Sequence, residues 1–489
     1  MQDFTTQDAL AWAIATANNR DRAKAYERYH RYYAGDHDLQ FATAKFRQAF
    51  GHLFEVFAYN RCAAAVNAMT DRLSVERFAI GSDETQETEL EGQADDIWIR
   101  NAMQRREREV YTEAFTCGDA YVLVWPDPET ERPIIWPQAA NQCSVRYSDE
   151  QPDRVILGTK RWREQPHGES RIRINVYHPD RIERWVTRDK KRDWPQRLDP
   201  DQFVVFTDDE AGPLVPNPWN TVPLFHFANA GKTGGYGVSE LRDIIPINDA
   251  LNKTLADMMI AEEFSAFVQK VIIGVDADPQ VQDGMVMNPE GAYNAQQMQG
   301  LATGAERIIA LSDTAAKIGE WSATALDQFQ DVAEGWDARI SRVSKIPVHY
   351  LTLSSDFPSG RALRTAEAPF VAKLESQQRD FGEVWEDVQL LALQQDGATL
   401  VDEVRDSLAV VWRSAAPLAE EDKWDLVLQM TTTGVPLSVA LKRIGWTEDE
   451  IAELETKAQE QAEQAMQREI TMLTAGQMAG DEESDQEAA

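Results

Sequence analysis

Two long amphipathic runs, separated by a segment that does not share their pattern, restrict this chain more than anything else in it. From Ser239 to Phe264 the apolar residues Leu241, Ile244, Ile245, Leu251, Leu255, Met258 and Met259 recur at helical spacing. Pro246 is expected to kink this helix or mark its first turns. At about 1.5 Å per residue the rod spans roughly 39 Å, and it cannot hide its apolar side alone. Leu326, Phe329, Val332, Trp336, Ile340 and Val343 keep the same spacing from Leu326 to Ile346 and supply a partner. Between them, residues 266–323 are mixed: a strand-like Val268 to Ile273, loops rich in Gly, Asn and Gln, then Arg307 to Leu311. The expectation is a two-helix hairpin carrying a small α/β tip.

The flanking regions differ in period. Up to about residue 80 the chain reads as helical, with Leu10, Ile14 and Ala17, then Tyr26, Tyr29 and Tyr33, a stop at Gly35-Asp36, and a further run from Val56 to Leu73. An acidic stretch, Ser82 to Glu91, reads as an exposed turn before a helix from Ile97 to Ala114. From Ala120 to Phe227 short β-branched and aromatic runs such as Tyr121 to Trp125, Ile172 to Tyr177 and Ile182 to Val186 predict a mainly antiparallel sheet. Within it, Arg154 to Arg192 holds twelve Lys/Arg against five Asp/Glu, either a solvated face paired with acidic neighbours or a contact between subunits. After the hairpin, Pro347 and Pro358 bound an irregular loop, a long helix is expected from Arg361 to Leu393, and the last hundred residues read as helical and charged. From Trp446 onward there are thirteen acids and two bases, and the tail from Asp481 is expected to be disordered.

Composition excludes several function classes. The 489 residues carry 49 Lys+Arg against 82 Asp+Glu, a net charge of −33, so a general surface that grips nucleic acid is not expected, because phosphate affinity comes from basic side chains. No stretch approaches the length of a membrane span, and the start lacks a basic and apolar leader pattern. The protein is expected to be soluble and cytoplasmic at synthesis. Cys62, Cys117 and Cys143 are too scattered for a disulfide framework or zinc knuckle and read as buried small hydrophobes.

Catalytic signatures are missing. No HExxH, GxSxG or strand-borne GxGxxG occurs, and the seven histidines are scattered. Ala230-Gly231-Lys232-Thr233 resembles the end of a phosphate-binding loop, but His226 stands where the upstream glycine is needed. The Gly231 to Gly237 segment therefore reads as a flexible hinge ahead of the long helix. Asp243, Asp249, Asp257, Glu262 and Glu263 read as a solvated helix face rather than a cation site. No cofactor is expected.

Several stretches, in this order, resemble the portal proteins of tailed bacteriophages, the type found in long-tailed phages of Gram-positive hosts. They are Tyr32-Tyr33-Ala34-Gly35-Asp36-His37, the run from Asn60 to Leu73, Gly118-Asp119-Ala120-Tyr121, Gly237-Val238-Ser239-Glu240-Leu241, and Asn248-Asp249-Ala250-Leu251-Asn252-Lys253. Two more follow: Ile346-Pro347-Val348-His349-Tyr350-Leu351 and the run from Ser359 to Glu367. The resemblance implies an α+β, mainly helical subunit with an α/β wing (1–235), two stem helices (236–265 and 324–346) and a small α/β clip (266–323). It further implies a tunnel loop (347–360), a long wing helix (361–395), C-terminal wing or crown helices (396–475) and a disordered acidic tail (476–489). It implies no enzyme but a ring, a dodecamer of twelve subunits in the virion at one capsid vertex, through which double-stranded DNA passes without sequence preference. The implied partners are the terminase large subunit, the major capsid protein and a head-completion or adaptor protein, with no membrane. Tyr350, Ser354, Ser355, Asp356, Ser359 and Gly360 would be the tunnel-loop residues facing DNA, and Asp249, Lys253, Asp257, Phe329 and Trp336 the stem residues. Another virion structural protein, or an acidic cytoplasmic scaffold or enzyme, is the alternative reading.

Overall fold

The computed structural model describes residues 6–38, 59–80, 89–164, 168–191, 197–207, 211–266, 270–273, 309–311, 318–320, 326–352, 360–400, 402–416, 420–444, 446, 451–452, 454 and 456–458. The chain divides into two compact units, Met1–Ala415 and Ala416–Ala489.

The first unit begins with helices α1 (Thr6–Ala17), α2 (Arg20–Ala34) and α3 (Arg61–Thr70), then strand β1 (Val75–Ile80) and helices α4 (Glu89–Arg100) and α5 (Met103–Cys117). Asn19 caps α2 by accepting the Arg22 N–H at 3.2 Å. Nine strands follow: β2 (Asp119–Pro126), β3 (Pro133–Gln138), β4 (Cys143–Tyr147), β5 (Val155–Arg163), β6 (Ile172–Tyr177), β7 (Arg181–Thr187), β8 (Phe203–Val205), β9 (Leu214–Pro216) and β10 (Leu224–Ala228). They form two antiparallel sheets, one ordered β10-β2-β3 and the other β4-β5-β6-β7-β8, with β9 also pairing β7. The long helix α6 (Leu241–Ala266) comes next, then the short strands β11 (Lys270–Ile273), β12 (Ile309–Leu311) and β13 (Ile318–Glu320), with β11 parallel to β12 and antiparallel to β13. Helices α7 (Asp327–Ser344), α8 (Gly360–Gln395) and α9 (Asp402–Ser407) and strand β14 (Leu408–Trp412) complete the unit.

Its core gathers where α8, about 54 Å long by its 36 residues, crosses the β10-β2-β3 sheet and α5. Trp385 is fully buried there. Its ring meets Trp98 edge-on at 5.0 Å and lies 4.6 Å from Phe227, and its indole N–H donates to the Tyr111 hydroxyl at 2.9 Å. The Tyr111 hydroxyl in turn donates to Glu107, which also accepts the Val75 N–H and the Ser74 hydroxyl. Burial pushes the Glu107 carboxyl above its usual range, while those three donors oppose the rise. In the second unit α10 (Glu420–Thr432) and α11 (Leu437–Arg443) close on Val427, Ala440, Leu441, Ile444 and Ile451.

Several expectations need correction. Val75 to Ile80, expected to be helical, is a strand whose partner β14 lies more than three hundred residues on, and β14 interrupts the last hundred residues, expected to be helical throughout. A six-residue strand is too short to reveal its period against the helices beside it. The helix expected from Ile97 to Ala114 is two helices broken at Ala102, which adopts a left-handed φ of 52°. The helix expected from Val56 to Leu73 is Arg61–Thr70 among the described residues. Most of 266–323, residues 82–88 of the acidic stretch and the tail 476–489 lie outside the described residues, while Glu89 to Glu91, expected in an exposed turn, open α4 with Glu91 buried. On the basic sheet Arg173 stacks on Phe206 at 3.5 Å, Arg171 bonds Glu164 and Arg181 bonds Glu183, so these three cations are held within the sheet while the net positive balance of the segment remains.

The Gly231 to Gly237 segment is exposed over residues 231–234 and pinned at its C-terminal end. The Gly237 N–H donates to Asp119 at 2.7 Å, and the Asn229 N–H donates to the Gly118 carbonyl at 2.8 Å. A Cβ on Gly237 would sit 1.9 Å from that carbonyl oxygen and 2.7 Å from the Asn229 nitrogen. Both obstacles are backbone and cannot rotate away. Gly237→Ala is therefore expected to destabilise the protein by about 3 kcal/mol or more. Gly92→Ala, at an exposed helical position with open space around it, should instead stabilise by about 1 kcal/mol. Denaturant melts of the two variants check both signs.

Candidate functional site

The long helices α6 and α7 pack against each other, and the polar residues that hold them come from the stretches singled out in sequence. Ser239 starts α6 by accepting the Leu241 N–H at 3.0 Å while its own hydroxyl donates to the Thr116 carbonyl. Pro246, at the sixth helical position, forfeits one backbone bond on an exposed side. Among the described residues eight positions of α6 point inward: Leu241, Ile244, Ile245, Asn248, Asp249, Leu251, Asn252 and Ala256. Three of these are polar, and each has a partner.

Asn252 accepts the Tyr59 N–H at 2.8 Å and donates to the Tyr59 carbonyl at 3.1 Å, so its amide binds one backbone residue at both ends. Asn248 accepts the Arg61 N–H at 3.1 Å and donates to His37 Nδ1 at 3.4 Å. With its Nε2 donating to the Tyr32 carbonyl, His37 is in the tautomer that this network requires. The Tyr32 hydroxyl donates to Asp249 at 2.9 Å. Asp249 thus departs from the expected solvated face: it is 4 % exposed, and burial pushes its carboxyl up to about 6 against the opposing hydrogen bond from Tyr32. Asp243 and Asp257 pair with Arg242 and Lys253 on the outside of the same helix.

On α7 the decisive contact is Asp337. The Arg61 guanidinium grips it bidentately, Nε to Oδ1 at 2.8 Å and Nη2 to Oδ2 at 2.7 Å, with both side chains mostly buried. Trp336 donates its indole N–H to Thr254 on α6 at 3.1 Å and carries the Arg339 guanidinium 4.6 Å over its ring. Residues 59–61 therefore seat both helices, with Asn60 capping α3 by accepting the Ala63 N–H at 3.0 Å. Lys373 of α8 secures the near ends: its ammonium donates to Glu240, just before α6, at 2.6 Å and to the carbonyl of Ser344, the last residue of α7, at 3.0 Å.

The expected tunnel loop begins in the same anchored fashion. Lys345 leaves α7 with a left-handed φ of 63°, and a single 3-10 turn, Val348–Tyr350, follows. The Tyr350 hydroxyl donates to Glu367 at 3.0 Å and is held by Arg72, while His349 lies 3.2 Å from the same carboxylate. Tyr350 is thus a tether at the loop's base. Ser354, Ser355, Asp356 and Ser359 lie outside the described residues, and Gly360 begins α8.

Among the described residues one flank of α7 is uncovered. At about 100° per residue, Val332, Trp336 and Val343 fall together beside the buried stripe of Ala333, Asp337, Ile340 and Ser344. Val332 and Val343 are 48 % and 49 % exposed, Trp336 and Phe329 are half-buried, and Met259 of α6 is also exposed.

Two stability effects follow. Asp337→Ala leaves Arg61 buried without its counter-ion and is expected to cost about 3 kcal/mol, whereas Arg61→Met combined with Asp337→Leu should recover much of that loss in a double-mutant cycle. The Asp249 carboxyl titrates at about 6 in the folded chain against about 3.9 unfolded. Its contribution is therefore full below the unfolded value and is lost as pH rises through 6. Asp249→Asn should raise the melting midpoint at neutral pH relative to wild type, with the difference vanishing in acid.

Known proteins resemble this chain along most of its length. Residues 14–467 match the family model described as phage portal protein, SPP1 Gp6-like. The portal protein of Mycobacterium phage D29 is 24% identical over 430 residues, covering 84% of this chain and 80% of that protein. That of Mycobacterium phage L5 is 23% identical over 426 residues with the same coverage. A chain from the neck of an empty GTA particle superposes with a TM-score of 0.44 at 11% identity, covering 79% of this chain and 90% of its own length. With the family model spanning nearly the whole sequence, the chain belongs to the SPP1 Gp6-like phage portal proteins.

Proposed function

We propose that this chain assembles into a ring of twelve subunits at one capsid vertex and that the ring is the channel through which double-stranded DNA is packaged and ejected. Portal proteins are structural components of the virion rather than enzymes, and the family match over residues 14–467 carries that much. The observation that supports a ring is the uncovered flank of α7. A stripe holding Val332, Trp336 and Val343 beside a filled one leaves apolar surface that a neighbouring copy can cover.

In this reading α6 and α7 line the channel. α6 carries five acids and two bases and α7 four acids and two bases, so their wall is net negative. Each phosphate neutralised by a cation adds affinity that moving DNA must break again. A repelling wall acting over a Debye length of roughly 8–10 Å keeps the duplex off the surface and lets it slide. The segment 266–323 would be the clip that receives the terminase large subunit and later a head-completion or adaptor protein, and the outer wing would meet the major capsid protein. Loop residues Ser354, Ser355, Asp356 and Ser359 would brush the phosphates, and sequence would not be read.

Electron microscopy of the purified protein should show rings with a central hole; a uniform population of single chains under assembly conditions would reject the reading. Deleting Leu353 to Asp356 is expected to leave rings and melting behaviour unchanged, because Tyr350 and Glu367 still hold the loop's base, yet to impair DNA packaging or retention in an assembly assay. Normal genome length and retention in that deletion would remove the loop from the mechanism.

A further inference from the structure

The histidines that look scattered in sequence are not all isolated in space. His30 of α2 lies between Glu113 and Cys117 of α5, with Nε2 at 2.8 Å from Glu113 Oε2 and 3.2 Å from Cys117 Sγ. All three donor atoms lie within 4.8 Å of one another. Glu113 and Cys117 are four residues apart on one helix face, and the third donor comes from the helix packed against it, so two rigid elements set the spacing. Glu113 is also held from behind: its Oε1 accepts the Ala140 N–H at 2.7 Å, which leaves Oε2 turned toward the cluster. Cys117 is buried and His30 is half exposed, giving the cluster a closed floor and an open rim.

From this geometry we infer that His30, Glu113 and Cys117 form a three-ligand site for a borderline divalent transition metal of the zinc type, with the fourth position open to water. One nitrogen, one thiolate and one carboxylate oxygen suit such an ion and suit magnesium or calcium poorly. At metal–ligand lengths of about 2.0–2.3 Å a tetrahedral ion spreads its donors to about 3.3–3.5 Å, so the two contacts of His30 need to open by about half an ångström or less. The ion takes the place of the proton shared by His30 and Glu113, and the Cys117 thiol gives up its proton to solvent. Burial otherwise holds that thiol neutral. Bound metal would staple α2 to α5 beside Tyr26, which bonds Asp119.

The test uses the full-length protein stripped with a chelator and titrated with Co²⁺. Binding of one Co²⁺ per chain, with a thiolate-to-cobalt charge-transfer band that Zn²⁺ then abolishes, is the expected result. Cys117→Ser should lose the band, while Cys62→Ser and Cys143→Ser, at buried positions elsewhere, should keep it. His30→Ala, at a half-exposed position that tolerates truncation, should weaken binding by about tenfold or more, which tests the site even if Cys117→Ser does not fold. Absence of the band, Co²⁺ bound without a sulfur signature, or affinity unchanged in His30→Ala would overturn the assignment.

Discussion

Asp119 is a carboxylate almost wholly removed from water, and a buried charge persists only where enough donors converge on it. Tyr26 donates to its Oδ2 at 2.5 Å, and the Gly237 N–H and His226 Nε2 reach its Oδ1 at 2.7 and 2.8 Å. With Nε2 facing the carboxylate, His226 Nδ1 is the acceptor for the Tyr147 hydroxyl at 2.7 Å. The Tyr121 ring stacks on the imidazole at 4.7 Å. One residue therefore gathers α2, the start of β2, strands β4 and β10 and the loop leading into α6. The direction in which α6 leaves the two sheets depends on that convergence, because Gly237 is pinned only four residues before the helix begins.

A second principle operates along α6 and α7. Ordinary amphipathic helices bury apolar stripes, which position a helix only loosely around its axis. Here Asn248, Asp249, Asn252 and Asp337 are buried with specific partners, and each bond fixes a rotation and a register. The result is a helix pair seated rigidly at residues 59–61 and braced by Lys373, with an apolar flank left over on α7. Polar groups inside and Val332 and Val343 outside are a poor arrangement for an isolated chain, and a sensible one for a subunit whose neighbours cover that flank in a ring.

The stretches that resemble portal proteins turn out to be contact partners of one another. Tyr32 and His37 meet Asn248 and Asp249; Asn60 and Arg61 lie beside them; Gly118 and Asp119 meet Gly237 and Ser239; His349 and Tyr350 meet Glu367. No stretch says this alone. Each is a short polar or glycine-bearing segment whose reason lies in a partner more than a hundred residues away, the His349 and Glu367 pair excepted.

Apolar period and turn residues determined the long helices within a few residues, the strand runs of the central sheets, the absence of known catalytic motifs and the acidic balance, because these are local properties that a chain carries wherever it folds. The family resemblance was legible for the same reason. What only the tertiary structure decided is what depends on long-range pairing: that Val75 to Ile80 is a strand, since its hydrogen bonds go to Leu408 to Trp412; that Asp249 faces inward, since Tyr32 waits there; that Gly237 is pinned by Asp119; and that His30 meets Glu113 and Cys117. A side chain's type restricts what it can bond, but its partner is set by which elements the fold brings beside it.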